Sequence, residues 1–167
     1  MLPRGNIALV VDLITTIPEL KQSSLKLPIR DLYRFAGGGD PTQPTFTSVY
    51  AGDSDETYSP ELLASLFDIS RFYDESRMGA PEHAQDLIED VDWARYQYGL
   101  TRLYLVTANP WYSHHIERLT NHDFNIEVVV MTTRGKHMEP LRAAASRLVE
   151  LKKASPYETF TIPSLKY

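Results

Sequence analysis

The stretch Asn6-Ile-Ala-Leu-Val-Val-Asp12 decides the fold. Five apolar residues in a row, ending at a charge, are typical of a strand buried on both faces of a parallel sheet, whereas half-solvated strands alternate. A strand Asn6–Val11 would deliver Asp12 to the carboxyl edge of the sheet, where open parallel sheets bind ligands. Asp12 is therefore a candidate site residue. The structural alternative is that its carboxylate only shapes its own turn or caps a neighbouring helix.

Further strands follow from the same kind of pattern. Leu103–Val106 and Ile126–Met131 are continuous apolar runs, and Phe46–Tyr50 and Asp68–Tyr73 are shorter candidates. Helical spacing of apolar residues, capping residues and acidic first turns predict the intervening helices. These helices are Ile29–Phe35, Ser59–Leu66, Pro81–Tyr98, Tyr112–Leu119 and Met138–Lys153. The stretches Leu13–Lys26 and Gly37–Pro44 are predicted to be irregular.

Strands that alternate with helices imply right-handed crossovers and an α/β fold. The prediction is a three-layer α/β/α sandwich with a mainly parallel central sheet. No repeat or linker divides residues 1–167, and this length fits a single domain.

Composition narrows the classes of function. The formal net charge of −5 argues against coating nucleic acid by bulk electrostatics, which needs a basic excess. The chain contains no Cys, so disulfides, thiolate metal sites and a cysteine nucleophile are excluded. No leader opens the sequence, and no apolar run approaches the ~20 residues that span a bilayer. We therefore expect a cytoplasmic protein that does not enter a membrane.

Acidic side chains supply the candidate chemistry. Asp86 and Asp92 lie in the helix that begins at Pro81, and Asn109 follows the strand that ends at Val106. Mg²⁺ and similar hard cations take one or two carboxylates together with waters. Asp12 with Asp86 or Asp92 would meet that minimum. Glu82, Asp86, Glu89 and Asp90 of this helix share a face, and the structural alternative is that this face is solvated and complements the helix dipole.

The order of these features resembles the NYN branch of the PIN-like ribonucleases. A strand ends in Asp12, a helix carries Asp86 and Asp92, and the next strand runs into Thr107–Tyr112. The stretch Leu141–Leu151 is similar to the closing helix of that family. The resemblance implies the PIN-like fold and Mg²⁺- or Mn²⁺-dependent cleavage of RNA phosphodiester bonds. It also implies that Asp12, Asp86 and Asp92 are metal ligands and that Asn109 belongs to the catalytic set.

The sequence departs from the family pattern at several positions. The glycine and asparagine that usually follow the first aspartate are missing from Asp12-Leu-Ile-Thr15. Asn109 and Trp111 occupy positions at which the family has aspartates, and Ser146 stands where the closing helix often has another. An amide oxygen can still bind a metal or a water, but it supplies no negative charge.

Residues after two strand ends predict a nucleic-acid surface. Trp111 and Tyr112 could stack on unpaired bases, and Arg134 and Lys136 could contact phosphates near the same edge. Single-stranded RNA is the expected ligand.

Two alternatives remain open from the sequence. The first is a catalytically inactive relative that binds nucleic acid or a protein partner, a second copy of the chain included. The second is an amino-methyltransferase, because Asn109-Pro-Trp-Tyr112 resembles the asparagine-proline-proline-aromatic motif of those enzymes. The Gly37-Gly-Gly39 segment follows a predicted helix and not a strand, which disfavours the second alternative.

Overall fold

The computed structural model describes residues 6–22, 27, 29–36, 44–53, 58–74, 82–121 and 124–151, leaving out the side chains of residues 30, 34 and 35. Within these residues, six strands form one sheet: β1 (Asn6–Asp12), β2 (Phe46–Gly52), β3 (Ile69–Tyr73), β4 (Leu100–Val106), β5 (Glu127–Thr132) and β6 (Arg147–Glu150). The α-helices of the described ranges are α1 (Leu13–Gln22), α2 (Ile29–Ala36), α3 (Pro60–Leu66), α4 (Glu82–Tyr98), α5 (Ser113–Thr120) and α6 (Met138–Ala144).

All neighbouring strands are parallel, and their order across the sheet is β3-β2-β1-β4-β5-β6. The predicted three-layer α/β fold with a parallel sheet is therefore confirmed, in its Rossmann-like form. The order reverses between β1 and β4, so the connections from these two strands leave toward opposite ends of the sheet. This switch point lies at the carboxyl end of β1, where Asp12 stands.

Helices cover both faces of the sheet. Side chains from α1, α2 and α3 pack on one face, against a core that includes Leu9, Val11 and Val49. Side chains from α4, α5 and α6 pack on the other face, against a core that includes Val10 and Leu105. Strands buried on both faces explain why their sequences are continuously apolar.

Local signals explain where α3 begins and where α4 ends. Ser59 caps α3, because its Oγ accepts a hydrogen bond of 3.1 Å from the Leu62 backbone N–H, and Pro60 is the first helical residue. Gly99 follows α4 with a φ of +62°, and its N–H donates to the Arg95 carbonyl at 2.9 Å. A left-handed residue that ends a helix in this way is usually glycine.

The irregular stretch predicted for Leu13–Lys26 is wrong over residues 13–22, which form α1; residues 23–26 lie outside the described part. Leu13, Ile17 and Leu20 have helical spacing and are buried, but Pro18 and two adjacent threonines obscure the pattern. Most of the predicted irregular stretch Gly37–Pro44 likewise lies outside the described residues.

The helix predicted for Met138–Lys153 is also wrong in its second half. α6 ends at Ala144, and Arg147–Glu150 form the edge strand β6, which pairs with β5. The apolar residues of this stretch fit helical spacing, but Leu148 and Val149 instead extend the sheet. Ser146 fixes the change of direction, since its Oγ accepts from the Val128 N–H at 3.0 Å and its N–H donates to the Val128 carbonyl at 3.0 Å.

Replacement of Pro18 by Ala tests the assignment of α1. Pro18 is exposed in the interior of the helix, where a proline lacks the N–H that would bond to the carbonyl four residues earlier. We expect Pro18→Ala to raise the free energy of unfolding by about 1–2 kcal/mol, after the greater entropy of the unfolded chain is subtracted. Urea unfolding measures this change, with Glu19→Ala as the neighbouring control. A destabilised Pro18→Ala protein would contradict the assignment.

Candidate functional site

The carboxylate of Asp12 is completely buried at the switch point. Its Oδ1 accepts from the Thr15 backbone N–H at 3.3 Å, which makes Asp12 the N-cap of α1. Its Oδ2 accepts from two hydroxyls, Thr15 Oγ1 at 2.6 Å and Thr107 Oγ1 at 2.9 Å. Burial raises the pKa of Asp12 above its ordinary value, and the threonine hydrogen bonds oppose that rise.

The same two hydroxyls connect Asp12 to the turn after β4. Thr15 Oγ1 accepts from the Ala108 N–H at 3.1 Å, and Thr107 Oγ1 accepts from the Asn109 N–H at 3.1 Å. Each hydroxyl thus donates to the carboxylate and accepts from a backbone amide. One buried carboxylate therefore holds the turn after β1 and the turn after β4 in a fixed relation.

Asn109 has a structural bond of its own. Its Oδ1 accepts from the Trp111 N–H at 3.1 Å and caps a turn of 3-10 helix, Pro110–Tyr112. Both the metal site and the amino-methyltransferase alternative require this amide oxygen. It is already hydrogen-bonded within the turn.

Polar side chains form a row across five neighbouring strands beside Asp12. By strand register, Asp12 lies opposite Tyr50 of β2, and Tyr50 lies opposite Arg71 of β3. On the other side the next positions along β4 and β5 are Thr107 and Thr132, which follow the paired residues Val106 and Met131. Along β1 and β4 the preceding side chains of this face, Val10 and Leu105, belong to the α4–α6 core. The row therefore closes that apolar core at the carboxyl edge.

Helix α4 covers part of this row with a polar flank. Asp90 is buried and accepts from Tyr50 Oη at 2.7 Å and from Arg71 Nε and Nη2 at 2.7 Å each. Asp86, one helical turn earlier, accepts from Tyr73 Oη at 2.7 Å. Burial and then the neighbouring carboxylates raise the pKa values of both tyrosines well above their ordinary range. We call Asp12, Tyr50, Tyr73, Tyr112 and the side chains of α4 that face them, which are His83, Asp86 and Asp90, the tyrosine layer.

Asp92 lies on the opposite flank of α4 from Asp90. It pairs with Arg118 of α5, whose Nη2 lies 2.9 Å from Oδ1 and 3.1 Å from Oδ2. The buried stripe of α4, with Leu87 and Val91 at its centre, separates the two flanks because residues two apart on a helix point about 160° apart. The structure thus places Asp86 and Asp92 on different sides. The solvated face predicted for Asp86 and Asp90 is wrong at Asp90, because its carboxylate is buried against Tyr50 and Arg71. The spacing of four residues between Asp86 and Asp90 was the signal that they share a flank.

The residues present do not fit the Mg²⁺ or Mn²⁺ site that the family resemblance implies. Within the described ranges, no group of three His, Asp or Glu side chains is close enough to hold a metal ion. Asp12, Asp86 and Asp92 are not brought together as a ligand set, and their oxygens already accept hydrogen bonds from threonine, tyrosine and arginine.

The outer rim of the site is aromatic and basic. Trp111 is 41% exposed, and its ring lies 4.5 Å from the ring of His115 between centroids. Burial and the neighbouring Arg118 lower the pKa of His115, so this ring is neutral near pH 7. Arg134 and Lys136 are exposed in the loop after β5, the strand next to β4.

Tyr112, in contrast, is fully buried, so the expectation that it stacks on a base does not hold in this structure.

Asp90 and Asp92 offer a matched comparison within one helix. Asp90→Ala leaves the buried Tyr50 hydroxyl and the Arg71 guanidinium without their acceptor, and we expect a loss of about 2–4 kcal/mol of unfolding free energy. Asp92→Ala removes a pair whose side chains are both 37% exposed, and we expect a loss below about 1 kcal/mol. Chemical denaturation of the two variants measures the difference. Equal losses would contradict the internal role of Asp90.

The pKa of Asp12 predicts a dependence of stability on pH. Because the folded-state pKa is raised above the unfolded value, the folded protein holds a proton that the unfolded chain has already released. The contribution of this carboxyl to stability is therefore greatest below about pH 4 and is lost as the pH rises through the folded-state pKa.

Unfolding free energies of the natural protein and Asp12→Asn, measured from about pH 4 to 7, isolate this group because asparagine does not titrate. We expect the free energy of the natural protein, relative to the variant, to fall as the pH rises. A relative value that stays flat or increases would show that the pKa is not raised.

Comparison with known proteins adds a likeness of fold. No family model matches this chain, and no curated protein sequence matches it. A crystal structure of a protein of unknown function from Vibrio parahaemolyticus RIMD 2210633 is similar, with a TM-score of 0.70 and 16% sequence identity. The match covers 91% of this chain and 96% of that chain. At this identity the likeness shows a shared fold along most of both chains. In the described part of this chain, no helix is long and apolar enough to cross a membrane.

Proposed function

We propose that this chain is a nucleic-acid-binding domain that presents Trp111 and neighbouring cations to single-stranded RNA. The exposed Trp111 ring at the carboxyl edge of the sheet, next to the switch point, is the observation that carries the proposal. A base can stack on such a ring whatever its sequence, since every base has an aromatic face.

The position of Trp111 is fixed before any ligand arrives. Asn109 caps the turn that carries it, and Asp12 holds that turn through Thr107. The His115 ring supports one side of the indole. A pre-organised aromatic ring loses little conformational freedom on binding, which favours affinity.

Exposed cations lie along the neighbouring rim. The side chain of Arg134 is 84% exposed and only loosely paired with Glu150, at 3.4 Å, and Lys136 is exposed two residues later. The N–H of Thr107 donates to the carbonyl of Met131, which joins the ends of β4 and β5. The loop that carries the cations is thus adjacent to the turn that carries Trp111, as a phosphate backbone beside a stacked base requires.

The hydrogen bonds that the carboxylates accept from protein side chains favour RNA binding over RNA cleavage as the function. Asp12, Asp86 and Asp90 accept hydrogen bonds from protein side chains, and so offer little to a hydrolytic metal ion. The divalent-metal ribonuclease implied by the family resemblance is thus the competing hypothesis, and the same experiments distinguish it.

Trp111→Ala tests the proposal directly. We expect it to weaken binding of a labelled oligouridine RNA about tenfold, because stacking of one base contributes about 1–3 kcal/mol. Fluorescence anisotropy at low salt measures the dissociation constant. Trp93→Ala is the matched control: Trp93 is 50% exposed but contacts Phe46 and Tyr98, near the amino ends of β2 and β4. Equal affinities of the Trp111→Ala and natural proteins, or no binding at low salt, would overturn the proposal.

The cations have a separate signature. A double variant, Arg134→Ala with Lys136→Ala, is expected to reduce the slope of log affinity against log salt by roughly 1–2, because each phosphate that is no longer neutralised lowers it by about one. RNA incubated with Mn²⁺ and the natural protein is expected to remain intact. Cleavage that Asp12→Asn abolishes would replace this proposal with the ribonuclease.

A further inference from the structure

Two arginines lie side by side between α4 and α5, near the amino edge of the sheet. Arg95 belongs to the last turn of α4, shortly before β4 begins, and Arg118 belongs to the last turn of α5. Their guanidinium carbons lie 4.1 Å and 5.4 Å from the centroid of the same ring, that of Phe124. The two cations are therefore closer together than the Debye length of about 10 Å at 0.1 M salt, so their charges repel each other. We call Arg95 and Arg118 the arginine pair.

The charge of the arginine pair is only partly neutralised. Arg118 Nη2 donates to the Asp92 carboxylate, at 2.9 Å to Oδ1 and 3.1 Å to Oδ2. Of the ion pairs within the described ranges, none includes Arg95, and its Nε is screened from solvent without a hydrogen-bond partner. One carboxylate thus serves two guanidiniums. Both arginines are half-buried and so remain partly accessible to an anion.

The arginine pair lies on the same flank of α5 as the exposed indole. The ring of His115 contacts that of Trp111, at 4.5 Å between centroids, and Arg118 follows His115 by three residues. The ion pair between Arg118 and Asp92 shows that this flank faces α4. The seven residues from Trp111 to Arg118 rise by about 10 Å along the helix. A single strand covers that distance with about three nucleotides at a stacked rise of about 3.4 Å.

The order of side chains along this flank favours a nucleic acid over other anions. A stacking ring followed by cations is the arrangement that a single strand needs, because its bases stack while its phosphates pair with positive charge. Arginine can donate two hydrogen bonds to one phosphate. An acidic peptide would be attracted to the arginine pair but would have no aromatic base to place on Trp111.

We propose that the RNA strand whose base stacks on Trp111 continues along the flank of α5 that faces α4 and places a phosphate at the arginine pair. This inference rests on the RNA-binding function proposed above and extends its site from the carboxyl edge toward the amino edge of the sheet. Asp92 competes with the phosphate for Arg118 and so limits the affinity.

Arg95→Gln tests the second contact. Glutamine keeps part of the stem that packs on Phe124 but removes the charge. We expect the affinity for octauridine to fall about threefold to fivefold, the scale of one exposed ion pair. The slope of log affinity against log salt should fall by about one. Diuridine ends before the arginine pair, so its affinity should be the same in the variant and the natural protein. Displacement of labelled octauridine, followed by fluorescence anisotropy, measures both affinities.

Asp92→Asn should have the opposite effect. Removal of the competing carboxylate frees Arg118, so we expect octauridine to bind about threefold more tightly. A residue that only holds α4 to α5 would not give this gain. The variant also keeps the proposal testable if Arg95→Gln does not fold. Arg102→Gln is the matched control: Arg102 pairs with Glu127 and contacts Tyr104 on the opposite face of the sheet, so affinity should not change.

The outcomes separate this inference from the function on which it rests. Octauridine binding that needs Trp111 but is the same in Arg95→Gln, Asp92→Asn and the natural protein would overturn the extended path alone. Binding that is weakened by Arg95→Gln but not by Trp111→Ala would overturn the stacking function, and no binding of octauridine would overturn both. Displacement of octauridine by polyglutamate as readily as by unlabelled octauridine would indicate an acidic peptide as the ligand and overturn the RNA path.

Discussion

The hydrogen bonds from Thr15 and Thr107 to the Asp12 carboxylate hold the functional edge of this protein together. At the switch point the connections from β1 and β4 leave in opposite directions, and a crossover helix does not bridge them. A buried carboxylate there is costly unless it is fully hydrogen-bonded. Two threonine hydroxyls meet this demand and at the same time accept from the amides of Ala108 and Asn109, so the cost of burial is offset where the two turns must be fixed.

The arrangement of α4 follows from the same demand. An apolar stripe on this helix packs on the sheet, and polar residues flank the stripe on both sides. The flank that carries Asp86 and Asp90 faces the tyrosines and Arg71 of β2 and β3, whereas the flank that carries Asp92 faces Arg118 of α5. The acidic residues that resemble a metal site in the sequence are thus mostly internal partners. Trp111, Arg134 and Lys136 are the candidate binding residues of this edge whose side chains are exposed.

Sequence patterns located the sheet more reliably than the site. Strands buried on both faces leave long apolar runs, and those around Val10, Leu105 and Val130 were identified with errors of a few residues at their ends. The pattern failed at β6, because an edge strand of four residues with Leu148 and Val149 also fits the helical spacing that begins at Leu141. It failed at α1 because Pro18 and the adjacent threonines resemble a loop. Both segments are set by contacts with neighbouring strands, which a local pattern does not contain.

By itself, the sequence determined the parallel α/β sheet and the place of Asp12 at its carboxyl edge, because a continuous apolar run that ends in a charge has few other stable settings. The tertiary structure decided which aspartates of α4 meet that edge, since residues on opposite flanks of one helix differ only in what packs beside them. It also decided that Tyr112 is buried while its neighbour Trp111 is exposed. Both outcomes depend on how α4 and the turn after β4 pack on the sheet. This packing is made by side chains that are distant in sequence.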